Sequence, residues 1–281
     1  MGRMQTPVMM VHGMSCTGEV WSQFRQFFED RQTRVYTPTL RPEVRTSLAG
    51  PPHPGLGALR LHDYVSDLER EASRIAEETG RRPAVIGHSM GGLLAQALAE
   101  RNRVSAAVLI SPAPPAGAHD VRFGAFWLIV RASNFLGLAP KAIRVDRATV
   151  YAATLNALPR GERDAAFSSM VYESGPAFND MGHFPIDEAR IRVPVMTIAA
   201  TRDRLIPANI VRLVGKKYAA IGGVFREYAG HAHWLYGEPG WDSVATDIYN
   251  WLASATQGSQ LSEPPVRDLA AAAQDDARLR P

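Results

Sequence analysis

Residues 85–92 read VIGHSMGG, and the reading of this stretch decides the fold. The apolar run AVI (84–86) stops at Gly87, Ser89 follows, and Gly91 and Gly92 lead into the helix-forming sequence LLAQALAE. A serine with glycines at minus two and plus two, between a strand and a helix, meets the conditions for a nucleophile elbow. The turn is tight enough to strain the serine backbone, and side chains two positions away would collide with the strand or the helix. The hydroxyl is then held at the C-terminal end of the strand, beside the positive end of a helix dipole. The plain alternative is a glycine-rich turn without chemistry.

Working outward, PVMMVH (7–12) is a short apolar strand, and Val20, Trp21, Phe24, Phe27 and Phe28 recur at helical spacing after it. TRVYTPTL (33–40) reads as a second strand, and a Pro- and Gly-rich loop (41–60) leads to a helix over 63–78 with Gly80 as its cap. RPAVIGHS and VSAAVLISP (104–112) are further strands, with the helix MGGLLAQALAE between them. Continuous apolar strands alternating with helices predict an α/β fold: a mostly parallel central sheet covered by helices on both faces. The alternation breaks between SPAPPAGAHD and IRVPVMTIAA, where an aromatic-rich stretch of short helices predicts an inserted helical lid. It resumes with VPVMTIAA (193–200), a helix over 208–220, GVFREYAG (223–230) and a closing helix over 240–255. The expected organisation is a core domain of residues 1–112 and 191–256, a cap of residues 113–190, and a C-terminal tail, 257–281, that is frayed or loosely docked.

A serine hydroxyl is a weak nucleophile unless a histidine takes its proton and a carboxylate orients that histidine. Asp203 lies in TRDRLIP just past one strand, and His231 in HAHW just past the next. The order Ser89, Asp203, His231 is the chain order expected for this architecture. His233 competes with His231. Direct attachment to Gly230 at the strand end favours His231, which leaves His233 as a packing or hydrogen-bonding neighbour. For the oxyanion formed on attack, the backbone N–H of Met90 is one donor, and Met14 in the loop HGMSCTGEVW is expected to supply another. Cys16 lies in the same loop, but no histidine is placed for it, and it reads as a spectator.

Composition narrows the remaining classes. With 46% hydrophobic residues in 281, the chain can bury a large core. A net charge of +3, from 31 basic and 28 acidic residues scattered along the chain, is too diffuse for a nucleic-acid groove. One cysteine excludes an internal disulfide, and no Cys/His cluster has zinc-site spacing. The start MGRMQTPVMMVHG has no apolar stretch of signal-peptide length, and FGAFWLIV (123–130) is too short to span a bilayer, so a soluble cytoplasmic protein is expected. Gly2 with Thr6 fits the loose myristoylation pattern, but Gly2 stands just before an apparent buried strand. No oligomeric state follows from the sequence, a dimer being one option.

The segments VHGMSCTGEVW, GHSMGG, TRDRLIP and GHAHW resemble the oxyanion loop, elbow, acid loop and histidine loop of the α/β-hydrolase superfamily, over residues 6–255 with the lid only weakly similar. The resemblance implies a helical cap over the site and serine chemistry, free of cofactor and metal, on an ester, thioester or lactone. A serine at position 89 in place of aspartate departs from the haloalkane dehalogenase and epoxide hydrolase branches. Large apolar groups of the lid, Phe126 and Trp127 foremost, with Tyr172 and His233, are the expected pocket residues, and the expected partner is a small hydrophobic, uncharged substrate. Two other classes use the same side chains: a ligand receptor with negligible turnover, and a lyase or cyclase, for which Lys141 is the one lid lysine.

Overall fold

The structure is a computed structural model that describes residues 4–117 and 141–257. Its strands are β1 (Val8–Val11), β2 (Val35–Tyr36), β3 (Ala84–His88), β4 (Ala106–Ile110), β5 (Ala142–Ile143), β6 (Glu173–Ser174), β7 (Val195–Ala200) and β8 (Val224–Tyr228). Six of them form one sheet in the order β2-β1-β3-β4-β7-β8. Every neighbouring pair in that sheet is parallel, with Val8 beside Ala84, Ala84 beside Ala106, and Met196 beside Val224. β5 and β6 pair separately and antiparallel.

Successive side chains on a strand face opposite sides, so a sheet buried on both faces needs apolar residues at every position. Val8 and Met10, Ala84 and Ile86, and Val108 and Ile110 belong to one buried cluster; Met9 and Val11, Val85, and Ala107 and Leu109 belong to the other. The first cluster is roofed by α1 (Ser22–Glu29), through Phe24 and Phe28, and by the closing helix α8 (Trp241–Gln257), through Ile248 and Leu252. The second is roofed by α2 (Leu61–Thr79), α3 (Met90–Glu100) and α7 (Ala208–Lys217). In α2 the buried positions Leu61, Tyr64, Val65, Leu68, Ala72 and Ile75 recur at three- and four-residue spacing. Gly80 caps that helix at φ 69°, as the sequence predicted.

Between β4 and β7 the described residues carry α4 (Arg147–Ala153), α5 (Arg160–Ser168), α6 (Gly175–Met181) and the β5–β6 ribbon. Short helices were expected there; the ribbon was not, because two residues per strand leave no periodic signal. The strand expected over 33–40 shrinks to Val35–Tyr36, at the sheet edge, where Pro38 has no N–H to continue a ladder. The helix expected over 208–220 ends at Lys217, and a 3-10 turn at Ala219–Ile221 follows. Among the described residues no helix is long and apolar enough to cross a membrane.

The strand order sets where a site can form. The chain leaves β1 for β2 on one side and returns to β3 on the other, so the loops after β1 and β3 diverge and open a crevice at the carboxyl ends of these two strands.

Core and surface positions should respond differently to truncation. Leu109→Ala removes a fully buried side chain and is expected to cost about 2–5 kcal/mol, whereas Leu213→Ala, at 40% exposure, should stay within about 0.5 kcal/mol. Urea midpoints at constant m-value measure both.

Candidate active site

Ser89 joins β3 to α3 at φ 54°, ψ −117°, a positive-φ conformation that side chains rarely adopt. What holds it there is close backbone approach. A Cβ added to Gly87 would lie 2.1 Å from the Gly91 carbonyl oxygen, and one on Gly91 would lie 2.2 Å from that of Val11. The Ser89 N–H donates to the Ile110 carbonyl at 3.0 Å, and its own carbonyl accepts from Ala113 at 2.9 Å, so the neighbouring strand end clamps the turn. Met90 is the first residue of α3. Amides of a helix's first turn have no partner within the helix, which leaves this one available to an anion.

The loop after β1 crosses directly over the serine, since a Cβ on Gly13 would come within 3.1 Å of the Ser89 Cβ. Met14, the other expected oxyanion donor, lines the same cavity as Ser89. Two buried histidines fix this neighbourhood. His12 accepts from the Leu40 N–H at Nε2 (3.0 Å), so its Nδ1 carries the proton, which it donates to the Gly13 carbonyl at 2.8 Å. Burial, reinforced by the Arg45 charge, lowers the His12 pKa to about 3. His88 donates from Nε2 to the His233 carbonyl at 2.8 Å, and burial together with the nearby His233 keeps it well below the usual histidine range. Sequence reading missed both roles, although a polar ring next to a tight apolar turn was a visible signal.

The structure parts from the expected pairing of Asp203 with His231. Asp203 Oδ2 accepts from Nδ1 of His233 at 2.8 Å, with the His233 and Asp203 side chains 2% and 0% exposed. Asp203 Oδ1 accepts from the amides of Leu205 and Ile206 at 2.9 and 2.8 Å, which fixes the carboxylate on its own loop. His231 instead faces Glu238, Nδ1 to Oε2 at 3.2 Å, and its ring packs near Gly240. The reason is local. Gly230 turns at φ 83°, which leaves His231 on the outer side, and the chain enters the core only with Ala232 to Tyr236, all buried. Glu238 secures that inward bend by accepting from the amides of Ala232 (2.8 Å) and Trp234 (3.1 Å), on either side of His233.

Ser89 and His233 line one cavity with Met14, and apolar side chains make up most of the lining, among them Val150, Met170, Phe178, Met181, Leu205 and Ile206. Of the expected pocket residues, His233 lines it. Tyr172 does not; it packs into a core cluster at 8% exposure. Phe126 and Trp127 lie outside the described residues. Cys16 also borders the cavity, but burial raises its thiol pKa to about 12, which keeps it protonated and unreactive. Lys141 is not part of the cavity wall.

The sequence profile described as the Alpha/beta hydrolase family matches residues 8–245. A monoacylglycerol lipase of Mycolicibacterium smegmatis is 26% identical over an alignment of 219 residues, covering 72% of this chain and 75% of that protein. Among solved structures, a monoacylglycerol lipase of Paleococcus ferrophilus superposes with a TM-score of 0.64 at 20% identity, over 89% of this chain and 96% of its own. A methylesterase of Arabidopsis gives 0.65 at 13% identity, over 88% and 99%. At these identities the two structures speak for the fold alone.

The buried histidines predict a pH dependence of stability. The unfolded chain protonates His12 and His88 near pH 6.5, while the native state keeps both neutral to far lower pH. The stability they support is therefore complete above about pH 6.5 and declines as pH falls towards the His12 value of about 3. Urea midpoints at stepped pH should fall through this window, with the His12 ring still neutral by NMR at about pH 5. A His12 resonance titrating at the free-histidine value would contradict this.

Proposed function

Since this chain belongs to the α/β-hydrolase family, we propose that it is a carboxylesterase-type serine hydrolase acting on an ester of a small hydrophobic molecule through an acyl-enzyme. The observation that carries the proposal is the Asp203–His233 pair opening onto the same cavity as the strained Ser89. In this reading Ser89 Oγ attacks the acyl carbon and His233 Nε2 takes its proton. Asp203 holds Nδ1–H, which fixes the tautomer and favours the imidazolium as it forms. The Met14 and Met90 amides receive the oxyanion. His233 then protonates the departing alkoxide, and a water activated by the same ring releases the acid.

Three further features support the ester assignment. The lining of the cavity that holds the serine is mostly apolar, which suits an acyl chain. The cavity wall holds no carboxylate or lysine among the described residues, which leaves the charge of the reaction to Ser89, His233 and the backbone. The relative matched in sequence, the monoacylglycerol lipase of Mycolicibacterium smegmatis, is named for an ester substrate. The one cysteine is free and buried, which suits the cytoplasm, the compartment we assign.

Single substitutions separate the two histidines. With p-nitrophenyl esters as substrate, Ser89→Ala and His233→Ala should each lower kcat by about 10⁴-fold or more, with folding retained by circular dichroism. His231→Ala should leave kcat within about threefold, because its ring faces Glu238 and not Asp203. Loss of turnover in His231→Ala with activity kept in His233→Ala would reverse the assignment.

A further inference from the structure

Glu173 is fully buried, on β6, in the segment that interrupts the strand–helix alternation. A carboxylate is almost never found there without partners. This one has five donors. Oε1 accepts from Tyr64 Oη at 2.7 Å, from its neighbour's amide, Ser174, at 2.9 Å, and from Arg45 Nη2 at 3.3 Å. Oε2 accepts from Arg45 Nη1 at 3.0 Å and from the amide of Ser15 at 3.1 Å. The Arg45 side chain is itself 1% exposed.

The Ser15 contact is the informative one. Ser15 follows Met14 directly and sits at φ 58°, a left-handed conformation that a serine does not hold without support. Its N–H is taken by a carboxylate 158 residues away in sequence. From the other side, Arg45 Nε donates to the Leu40 carbonyl, and the Leu40 amide donates to His12. The loop across Ser89 is thus held at His12 and at Ser15, with Met14 between them. Burial pushes the Glu173 pKa up, but the Arg45 charge and the other donors outweigh it and hold the group below the usual carboxylate range, so it is ionised. A buried ion pair is weak grounds for stability, because apolar residues of similar volume often serve as well. Its geometry is what apolar groups could not reproduce.

We propose that Glu173 is a positioning residue for catalysis: its carboxylate, carried by β6, fixes the Ser15 amide and thereby aims the adjacent Met14 N–H at the oxyanion. This rests on the serine-hydrolase reading. It also ties the segment between β4 and β7 to the oxyanion loop, so that displacing β6 loosens the donor.

Two full-length variants test this against wild type. Glu173→Gln keeps the shape but removes the charge. Arg45→Met/Glu173→Leu removes both charges, leaves no unpaired ion in the core, and still deprives Ser15 of its acceptor. In the double variant, kcat for p-nitrophenyl acetate should fall by about 10²-fold with KM changed less than about threefold, the mark of an interaction made in the transition state, and in Glu173→Gln, whose amide oxygen still accepts from Ser15, it should fall by less. Hydrogen–deuterium exchange in residues 12–17 should rise, with β3 unchanged. Wild-type kcat and wild-type exchange in the folded double variant would overturn the proposal. So would a double variant that fails to fold, since the pair would then hold up the fold and not the loop. If wild type neither turns over esters nor labels at Ser89 with a fluorophosphonate, the hydrolase reading fails, and the exchange measurement alone decides whether Glu173 anchors the loop.

Discussion

The start of α3 lies almost on top of the end of β1: at Gly91 there is no room even for a methyl group, because the Val11 carbonyl oxygen would be 2.2 Å away. That contact leaves the chain no gradual route from β3 into the helix, and Ser89 takes up the whole change of direction at positive φ. Its consequence is that three things meet at one point. The side chain of Ser89 is thrust out past the carboxyl edge of the sheet, the first amide of α3 comes free beside it, and the loop leaving β1 must pass over both. The parallel sheet supplies the rest, since parallel strands bring the loops after β7 and β8 to that same edge.

Three of these loops are secured by one device. Asp203 takes the amides of Leu205 and Ile206 and the ring of His233. Glu238 takes the amides of Ala232 and Trp234 and the ring of His231. Glu173 takes the amides of Ser15 and Ser174 together with Arg45 and Tyr64. All three carboxylates are buried. A carboxylate can accept about four hydrogen bonds, so a single buried ion can fix two peptide units and still orient a side chain. Such bonds strengthen as water is excluded, which lets irregular backbone be held as firmly as a helix.

The legible parts of the sequence were those written in local pattern. The sheet and its two-sided cover followed from unbroken apolar strands such as AVLI (107–110), and the elbow from glycine spacing about Ser89. The position of Asp203, just past the end of β7, was legible too. The expected Asp203–His231 contact is replaced by Asp203–His233, because nearness to a strand end in sequence is not nearness to the cavity. The better signal was the apolar context of AHWLY (232–236), which carries His233 inward, against the polar REYAGH (226–231), which leaves His231 only partly buried. Glu173 has no such local signature. Its role depends on Arg45, 128 residues away, and on Ser15, and only the folded chain brings them together.

The most direct measurement of the central claim is a crystal structure of the protein after reaction with an alkyl fluorophosphonate, whose tetrahedral phosphorus stands in for the attacked acyl carbon. The expected structure has phosphorus bonded to Ser89 Oγ, the phosphoryl oxygen about 2.7–3.1 Å from the Met14 and Met90 amides, and the His233 ring facing the adduct with Asp203 behind it. An adduct on another residue, or one at Ser89 with its phosphoryl oxygen turned away from both amides, would contradict it.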